Sequence, residues 1–424
     1  MVNLSDSKSN TQGTPKGKLL AYYQPIIALE TRSIVGYEAL GRQFVDGNVR
    51  SLGPFFSDSS ISVEEHVRID RLLREQAINK MSKLPDPPTL FINLKPSWIY
   101  QHYKSTGELH TLQLLDKHGM DPSKICIEIT EEEFNGSMSE LNEIINLYRA
   151  QGCRIAIDDI GTGFSNFDRI AQIQPNLLKI DIHLMKKSAH HSGYLGVLRS
   201  FSTLAEQIGA SLLVEGVETS QDLKRAIQIG ARYVQGYLFA PAEPELRLKD
   251  AFTPLIEAEL DEHRRNLRAT KQHWEELGKR LVDTIQASEI GNLLEAAPDS
   301  ETEETVFDVD SEQADHAIGQ LLPTLNESCM RVYLCRNDGI QLSANHIRDS
   351  GDTWRMELEY RNADWSWRPY FIPHLSHENS RVEAKVSTLY ADLDTHAWIR
   401  TFSIPIGKEL ILLLDVADSN ESNE

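Results

Sequence analysis

The sequence predicts an α/β chain: a closed (β/α)₈ TIM-like barrel over residues 18–244, a long helix, then a separate α+β domain. Three observations carry this. Eight short apolar runs alternate with helical patterns between about residues 18 and 242. Composition then shifts toward Glu, Arg, Lys and Leu after Pro244. Strand-like runs return beyond residue 310 with few long helices between them. At 424 residues the chain is long enough for two domains, each with its own core.

The apolar runs of the first domain are 19–26, 34–40, 89–94, 125–130, 154–158, 177–182, 211–215 and 232–238. Between the later ones lie amphipathic stretches, Met138–Gln151, Tyr194–Ile208 and Ser220–Ile229. Each ends at or beside a glycine (Gly152, Gly209, Gly230), the expected helix stop. Strands alternating with helices imply parallel strands joined by crossovers. Eight of them in roughly 225 residues suit a closed barrel, whose usual size is about 250. An insertion at 42–61 interrupts the pattern after the second run.

Residues 245–296 read as a connecting helix. Leu260, Leu267, Trp274 and Leu281 recur every seven residues, with Ile256, His263 and Leu277 on the same seam. Such a heptad points to pairing with a second chain, a homodimer; the plainer reading is a helix lying on its own domain. An acidic linker, 297–309, leads to the second domain, 310–418. Its strand-like runs are Met330–Cys335, Ile340–Ala344, Trp398–Ile406 and Leu410–Val416. Residues 1–17 and 419–424 read as tails, the first disordered. No run of about 18 apolar residues spans a bilayer, and the N-terminus lacks a signal-peptide core. The expectation is a cytoplasmic protein with no membrane partner.

A net charge of −20 argues against duplex nucleic acid, which needs a basic footprint. It does not exclude a phosphate ligand, because bound cations reverse the sign of a carboxylate-rich site. The four cysteines (Cys126, Cys153, Cys329, Cys335) show no metal or redox spacing and read as small buried residues.

Strand alternation sorts the barrel residues. In Ile125-Cys-Ile-Glu-Ile-Thr130 the isoleucines face the outer helices, so Cys126, Glu128 and Thr130 point inward. The same parity turns Phe91, Asn93, Leu177, Lys179, Asp181, Leu213, Glu215, Tyr233 and Gln235 inward. The polar members stand at the carboxyl ends of their strands, the mouth where barrel enzymes place their chemistry. Glu38, Asp158, Asp159 and Glu218 join them, giving seven carboxylates against one lysine. Hard oxygen ligands without histidine select Mg²⁺ or Mn²⁺ over zinc. Asp158 and Asp159 can both reach the mouth only if the strand ends there, and Ile160-Gly-Thr-Gly163 supplies the break. One Asp then bridges two ions, a standard device for attack on phosphodiesters.

These motifs resemble the EAL family of cyclic-di-GMP (c-di-GMP) phosphodiesterases. Glu38-Ala39-Leu40 is the signature, within Tyr-Glu-Ala-Leu-Gly-Arg42. FINLKP with Asn93, EITE with Glu128 and Glu131, DDIGTGFSN with Asp158 and Asp159, Lys179-Ile-Asp181, Glu215-Gly-Val-Glu218 and Gln235-Gly-Tyr237 follow in order. The resemblance implies a first metal on Glu38, Asn93, Glu128 and Asp158, and a second on Asp158 and Asp159 with help near Glu215. It implies Lys179 as the group that positions or deprotonates the attacking water, with Glu215 the rival base. Gln24, Leu40, Arg42, Asp181, Glu218 and Gln235 fall to the substrate side, Arg42 suiting a phosphate. Glu131 would anchor the loop after Asp159, and the product would be linear pGpG. Gly41 stands where an aliphatic residue is usual and NLKP where NLSP is usual. The proline of Gln235-Gly-Tyr-Leu-Phe-Ala-Pro241 is displaced by one, which touches a guanine-side contact.

The C-terminal domain resembles a PAS/Cache-like sensory fold through Trp365-Ser-Trp-Arg-Pro-Tyr-Phe371, Ser387-Thr-Leu-Tyr390 and Ile399-Arg-Thr-Phe-Ser-Ile-Pro405. The resemblance places an unidentified small ligand near Arg368, Tyr370 and Tyr390; otherwise these residues pack the sheet. The rival function is a catalytically silent c-di-GMP receptor. That reading gains force when a metal ligand or the glycine loop is missing, and here both are present.

Overall fold

Nine strands of the first sheet are β1 (Lys18–Ala28), β2 (Ser33–Val45), β3 (Asn48–Ser51), β4 (Thr89–Leu94), β5 (Ile125–Thr130), β6 (Arg154–Ile160), β7 (Leu177–Ile180), β8 (Ser211–Val214) and β9 (Tyr233–Val234). They run in the order β1-β9-β8-β7-β6-β5-β4-β2-β3, and β1 also pairs with β2, closing eight of them into a barrel. The computed structural model describes residues 15, 17–130, 134, 136–161, 167–188, 191–288, 290, 309–349, 353–372, 383–407 and 409–418. Most of the N-terminal tail and acidic linker, and Glu131, lie outside them.

The barrel departs from the all-parallel expectation at one strand. β2 and β4 to β9 are mutually parallel, whereas β1 is antiparallel to both β2 and β9. Only residues 29–32 separate β1 from β2, too few for a crossover, so the two form a hairpin. The 42–61 insertion prolongs β2 into a second hairpin with β3, followed by a helical turn, Gly53–Phe56. This explains Gly41: a side chain there would meet Leu73 at 2.8 Å and Leu52, from the insertion, at 3.1 Å.

The outward isoleucines of β4 to β7 pack with helices such as Val63–Met81 and Met138–Ala150 into the main core. Side-chain caps fix two of the helix starts: Ser137 and Glu140 form a reciprocal capping box, as do Thr219 and Asp222. All four cysteines are buried and unpaired.

The chain divides into two units, 1–264 and 265–424, inside a helix spanning Thr253–Gln286. That helix starts eight residues later than the composition shift suggests, with Pro254 in its first turn, where its missing N–H costs nothing. The heptad seam is mostly consumed within the chain. Ile256 is buried in the barrel core and Leu260 packs on it. Trp274, Leu277 and Leu281 are buried in the core of the second unit, Trp274 against Phe402 at 5.9 Å. Leu267 between them is 56% exposed. Trp274→Glu is therefore expected to unfold the second unit by burying an unpaired charge. Loss of its cooperative thermal transition would be the readout.

The second unit is an antiparallel sheet of β10 (Cys329–Arg336), β11 (Asn345–Arg348), β12 (Trp354–Glu357), β13 (Lys385–Val386), β14 (Tyr390–Ala391), β15 (Trp398–Ile406) and β16 (Leu410–Ala417). Its order is β12-β11-β10-β16-β15-β13, with β14 also on β15, and the helix Ser311–Leu321 covers it. This is the PAS-like layout. The run Ile340–Ala344 is not a strand. It makes single bridges to Cys335 and Asp364, and the strand forms just after it, at β11.

Candidate active site

An apolar plug fills the barrel: Ile26, Phe91, Cys126, Ala156, Leu177 and Leu213, with Val35 and Tyr233 against it. Gly36 makes room for Phe91, whose ring lies 2.6 Å from where a Cβ would stand. Two residues beyond the plug on each parallel strand come Asn93, Glu128, Asp158, Lys179, Glu215 and Gln235. β1 runs the other way, so its mouth residue, Gln24, precedes Ile26 and pairs with Glu38. Inward parity thus builds an apolar layer below and a polar layer above.

Asp158 and Asp159 reach the mouth by a different route from the one expected. β6 continues to Ile160, and its register with β7 shifts between Ile157 and Ile160. Asp159 itself takes a left-handed conformation, φ 58°, and its N–H donates to Asp158 Oδ1 at 3.0 Å. A bulge in the strand, rather than its end, presents both carboxylates; such bulges re-aim side chains beside active sites. Residues 162–166 of the glycine loop lie outside the described residues.

Lys179 is the centre of the polar layer. Its Nζ lies 2.7 Å from Glu128 Oε1, 2.7 Å from Glu215 Oε1 and 3.0 Å from Asp158 Oδ1. Lys179 is 1% exposed and Glu128 0%. Glu38 is held from both sides, by Asn93 Nδ2 and Gln235 Nε2, each at 2.7 Å. Gln235 Nε2 also meets Gln24 Oε1 at 3.2 Å, and Gln24 Nε2 donates to the Ala240 carbonyl. Donation from Asn93 Nδ2 leaves its oxygen, a possible metal ligand, unused by that bond.

Charge in this layer is unbalanced: five carboxylates (Glu38, Glu128, Asp158, Asp159, Glu215) face one ammonium. Burial, and then Glu38, Asp158 and Glu215, push Glu128 well above the usual carboxylate range despite Lys179. Burial and Asp158 raise Asp159 to about 6. Burial also raises Glu215. For Lys179 burial pulls downward, but Asp158, Glu128, Glu215 and Glu38 outweigh it and hold the proton on. Buried Glu128 Oε2 and Gln235 Oε1 have no hydrogen-bond partner among the described residues. Asp158, Asp159 and Glu215 each place an oxygen within 4.8 Å of the others. Orphaned buried oxygens and surplus negative charge fit a hard divalent cation.

Beside this layer opens a cavity of about 410 Å³ lined by Leu40, Arg42, Asn93, Asp158 and Asp159. The guanidinium of Arg42 donates to the Gly41 carbonyl at 2.9 Å. Asp181 and Glu218 find partners outside the Lys179 cluster: Asp181 accepts from the His183 N–H at 2.6 Å, and Glu218 pairs with Lys186 at 2.9 Å. The cavity wall also holds residues that strand parity could not find: Asp70, Arg74, Lys95, Trp98 and Phe56. Asp70, half-buried, and Arg74, buried, form an ion pair one turn apart on the helix Val63–Met81. Lys95, the departure in NLKP, sits 4.8 Å over the Trp98 ring.

The chain belongs to the EAL-domain family. The EAL domain model matches residues 10–242, and an EAL-domain associated signalling protein domain matches 293–420. The EAL-domain containing protein YkuI of Bacillus subtilis is 34% identical over 94% of both chains. The cyclic di-GMP phosphodiesterase RocR of Pseudomonas aeruginosa is 32% identical over 56% of this chain and 61% of its own. The crystal structure of B. subtilis YkuI in complex with c-di-GMP and calcium superposes with a TM-score of 0.81 at 32% identity, covering 95% of this chain and 96% of that one.

Proposed function

We infer that the protein binds c-di-GMP at the barrel mouth and hydrolyses it to linear pGpG with two divalent ions, Mg²⁺ or Mn²⁺. The observation that carries this is the surplus of buried carboxylate around Lys179, with Glu128 Oε2 unpartnered. Glu38, Asn93, Glu128 and Asp158 would hold one ion, and Asp158, Asp159 and Glu215 the other. Bound there, the ions supply Lewis acidity that activates water and offsets charge on phosphorus. Arg42, Leu40 and Gln24 line the substrate side, with Asp181, Glu218 and Gln235 at its edges; Arg42 meets a phosphate oxygen. Lys179, which keeps its proton, positions the attacking water, and Glu215, 2.7 Å from it, accepts the water's proton. The water oxygen bonds to phosphorus, one ester P–O bond of the ring breaks, and the leaving oxygen takes up a proton.

Incubation with c-di-GMP and Mn²⁺ or Mg²⁺ should yield pGpG, and excess EDTA should stop it reversibly. Undiminished turnover in EDTA sinks the two-ion reading. Tight c-di-GMP binding with no pGpG in either metal makes the barrel a receptor.

The proposal extends to a cytoplasmic homodimer whose second unit, bearing the signalling-domain match, regulates the barrel. Exposed Leu267, between two buried stretches of one helix, is the point for self-association. Sedimentation should show a dimer in the wild type and a monomer in Leu267→Glu; a wild-type monomer removes the pairing.

A further inference from the structure

The second unit contains a cavity of about 100 Å³ whose lining includes Asn345, Tyr370, Arg368 and Asp394. We propose that it is a binding site for a small zwitterion, a free α-amino acid with a short side chain. Trp365 sets the orientation of this wall. Its indole N–H can only donate, and it does so to Gln341 Oε1 at 2.7 Å. That fixes which end of the fully buried Gln341 amide is nitrogen. Gln341 Nε2 then donates to the Ser343 carbonyl at 3.0 Å and to Asn345 Oδ1 at 2.9 Å. Asn345, 6% exposed, is thereby turned so that its Nδ2 is left to the cavity, with no partner among the described residues.

Two further donors join it. Tyr370 accepts from the Tyr333 hydroxyl at 3.2 Å, which leaves its own proton available. Arg368 rests on the faces of Trp365 and Trp367, 5.8 and 4.7 Å away, with no carboxylate partner among the described residues. Three converging donors call for a carboxylate.

A bare carboxylate does not match the rest of the wall. Asp392, Asp394 and Asp415 line it against Arg331 and Arg368, leaving one net negative charge. Arg331 contacts all three aspartates, at 2.9, 3.0 and 2.9 Å. Asp392 and Asp415 use their second oxygens on Thr395 and Thr401. Asp394 alone keeps an oxygen, at the mouth, where its side chain is 59% exposed. A bare amine would answer Asp394 and leave the three donors unmet. A zwitterion answers both, its ammonium beside Asp394 and its carboxylate on Asn345, Tyr370 and Arg368. The small volume limits the side chain.

The test is titration of the full chain with glycine, L-alanine and L-serine, with propionate and ethylamine as half-molecule controls, read by calorimetry and thermal shift. At least one amino acid should bind and raise the melting temperature of the second unit by about 2–4 °C near saturation. Neither control should do so at the same concentration. Asn345→Asp keeps the acceptor for Gln341 but removes the donors, and should abolish the shift. Arg368→Gln and Asp394→Asn, both nearer the surface, should each weaken binding at least tenfold and keep the test valid should Asn345→Asp not fold. The proposal is overturned by no response to any of the three amino acids, by propionate or ethylamine alone matching them, or by binding that survives Arg368→Gln and Asp394→Asn.

Discussion

Glu128→Gln is expected to give a folded protein that makes no pGpG. The glutamine fills the same space at the floor of the mouth but carries no charge. Electrostatic stabilisers of a transition state are worth about 10²–10³ in kcat when removed singly, and a metal ligand should reach at least that. Stability should move the other way. The wild-type carboxyl is fully buried with one oxygen unpartnered, and its neighbours Glu38, Asp158 and Glu215 repel it. Deleting that charge relieves repulsion, so in EDTA the variant should melt at or above the wild type. Added Mn²⁺ should raise the wild-type melting temperature more than that of the variant. A glutamine variant with wild-type pGpG formation would remove Glu128 from the metal site.

Lys179→Ala should show the opposite stability effect and the same direction in rate. The ammonium balances three carboxylates within 3.0 Å, two of them more than nine-tenths buried. Removing one partner of a buried ion pair costs about 3–5 kcal/mol, because the other charge stays buried and alone. Urea unfolding in EDTA should report a loss of that order. Mn²⁺ should recover much of it, since cations bound only by the folded state stabilise it. Turnover should stay down by about 10²-fold or more even with metal, the scale of a lost acid–base group. Turnover that holds while c-di-GMP affinity collapses would make Lys179 a binding group instead.

The polar layer was legible because alternation in a strand is rigid. Once Ile125, Ile127 and Ile129 face the helices, Glu128 has nowhere to point but inward, and the same holds for Asn93 and Lys179. The inward carboxylates can be listed from strand parity alone. Three features were less legible. The direction of β1 was outweighed by the βα rhythm of the rest, although the four-residue link at 29–32 forbids a crossover. Asp159 adopts a positive φ, uncommon for a residue with a side chain, so a glycine break looked the easier way to present both aspartates. Asp70, Arg74 and Trp98 reach the cavity from helices, and where a helix leans over a barrel mouth depends on packing that no local pattern encodes. The heptad seam shows a related limit. A spacing of seven marks one face of a helix as apolar but does not say what covers it, and here most of it is covered by the chain's own two cores.

The reversed first strand bears on how the site comes into being. The β1–β2 hairpin is local in sequence and pairs over eleven residues, so it can form early. The other edge of β1 closes onto β9, about 200 residues away, through only two residue pairs, Ile27 with Val234 and Ala28 with Tyr233. A single bridge from Tyr23 to Glu243 adds to it. Closing so long a loop carries an entropic cost that no local contact offsets. The bonds from Gln235 to Glu38 and Gln24 cross this same boundary, so they exist only once the ring is shut. A chain emerging from the ribosome therefore holds Glu38 from one side only, through Asn93, until residue 235 is released, and the complete polar layer is the last thing the barrel acquires. In the finished protein the two-pair seam is where amide protons of the barrel sheet should exchange fastest, and a ligand spanning Gln24 and Gln235 would slow them first.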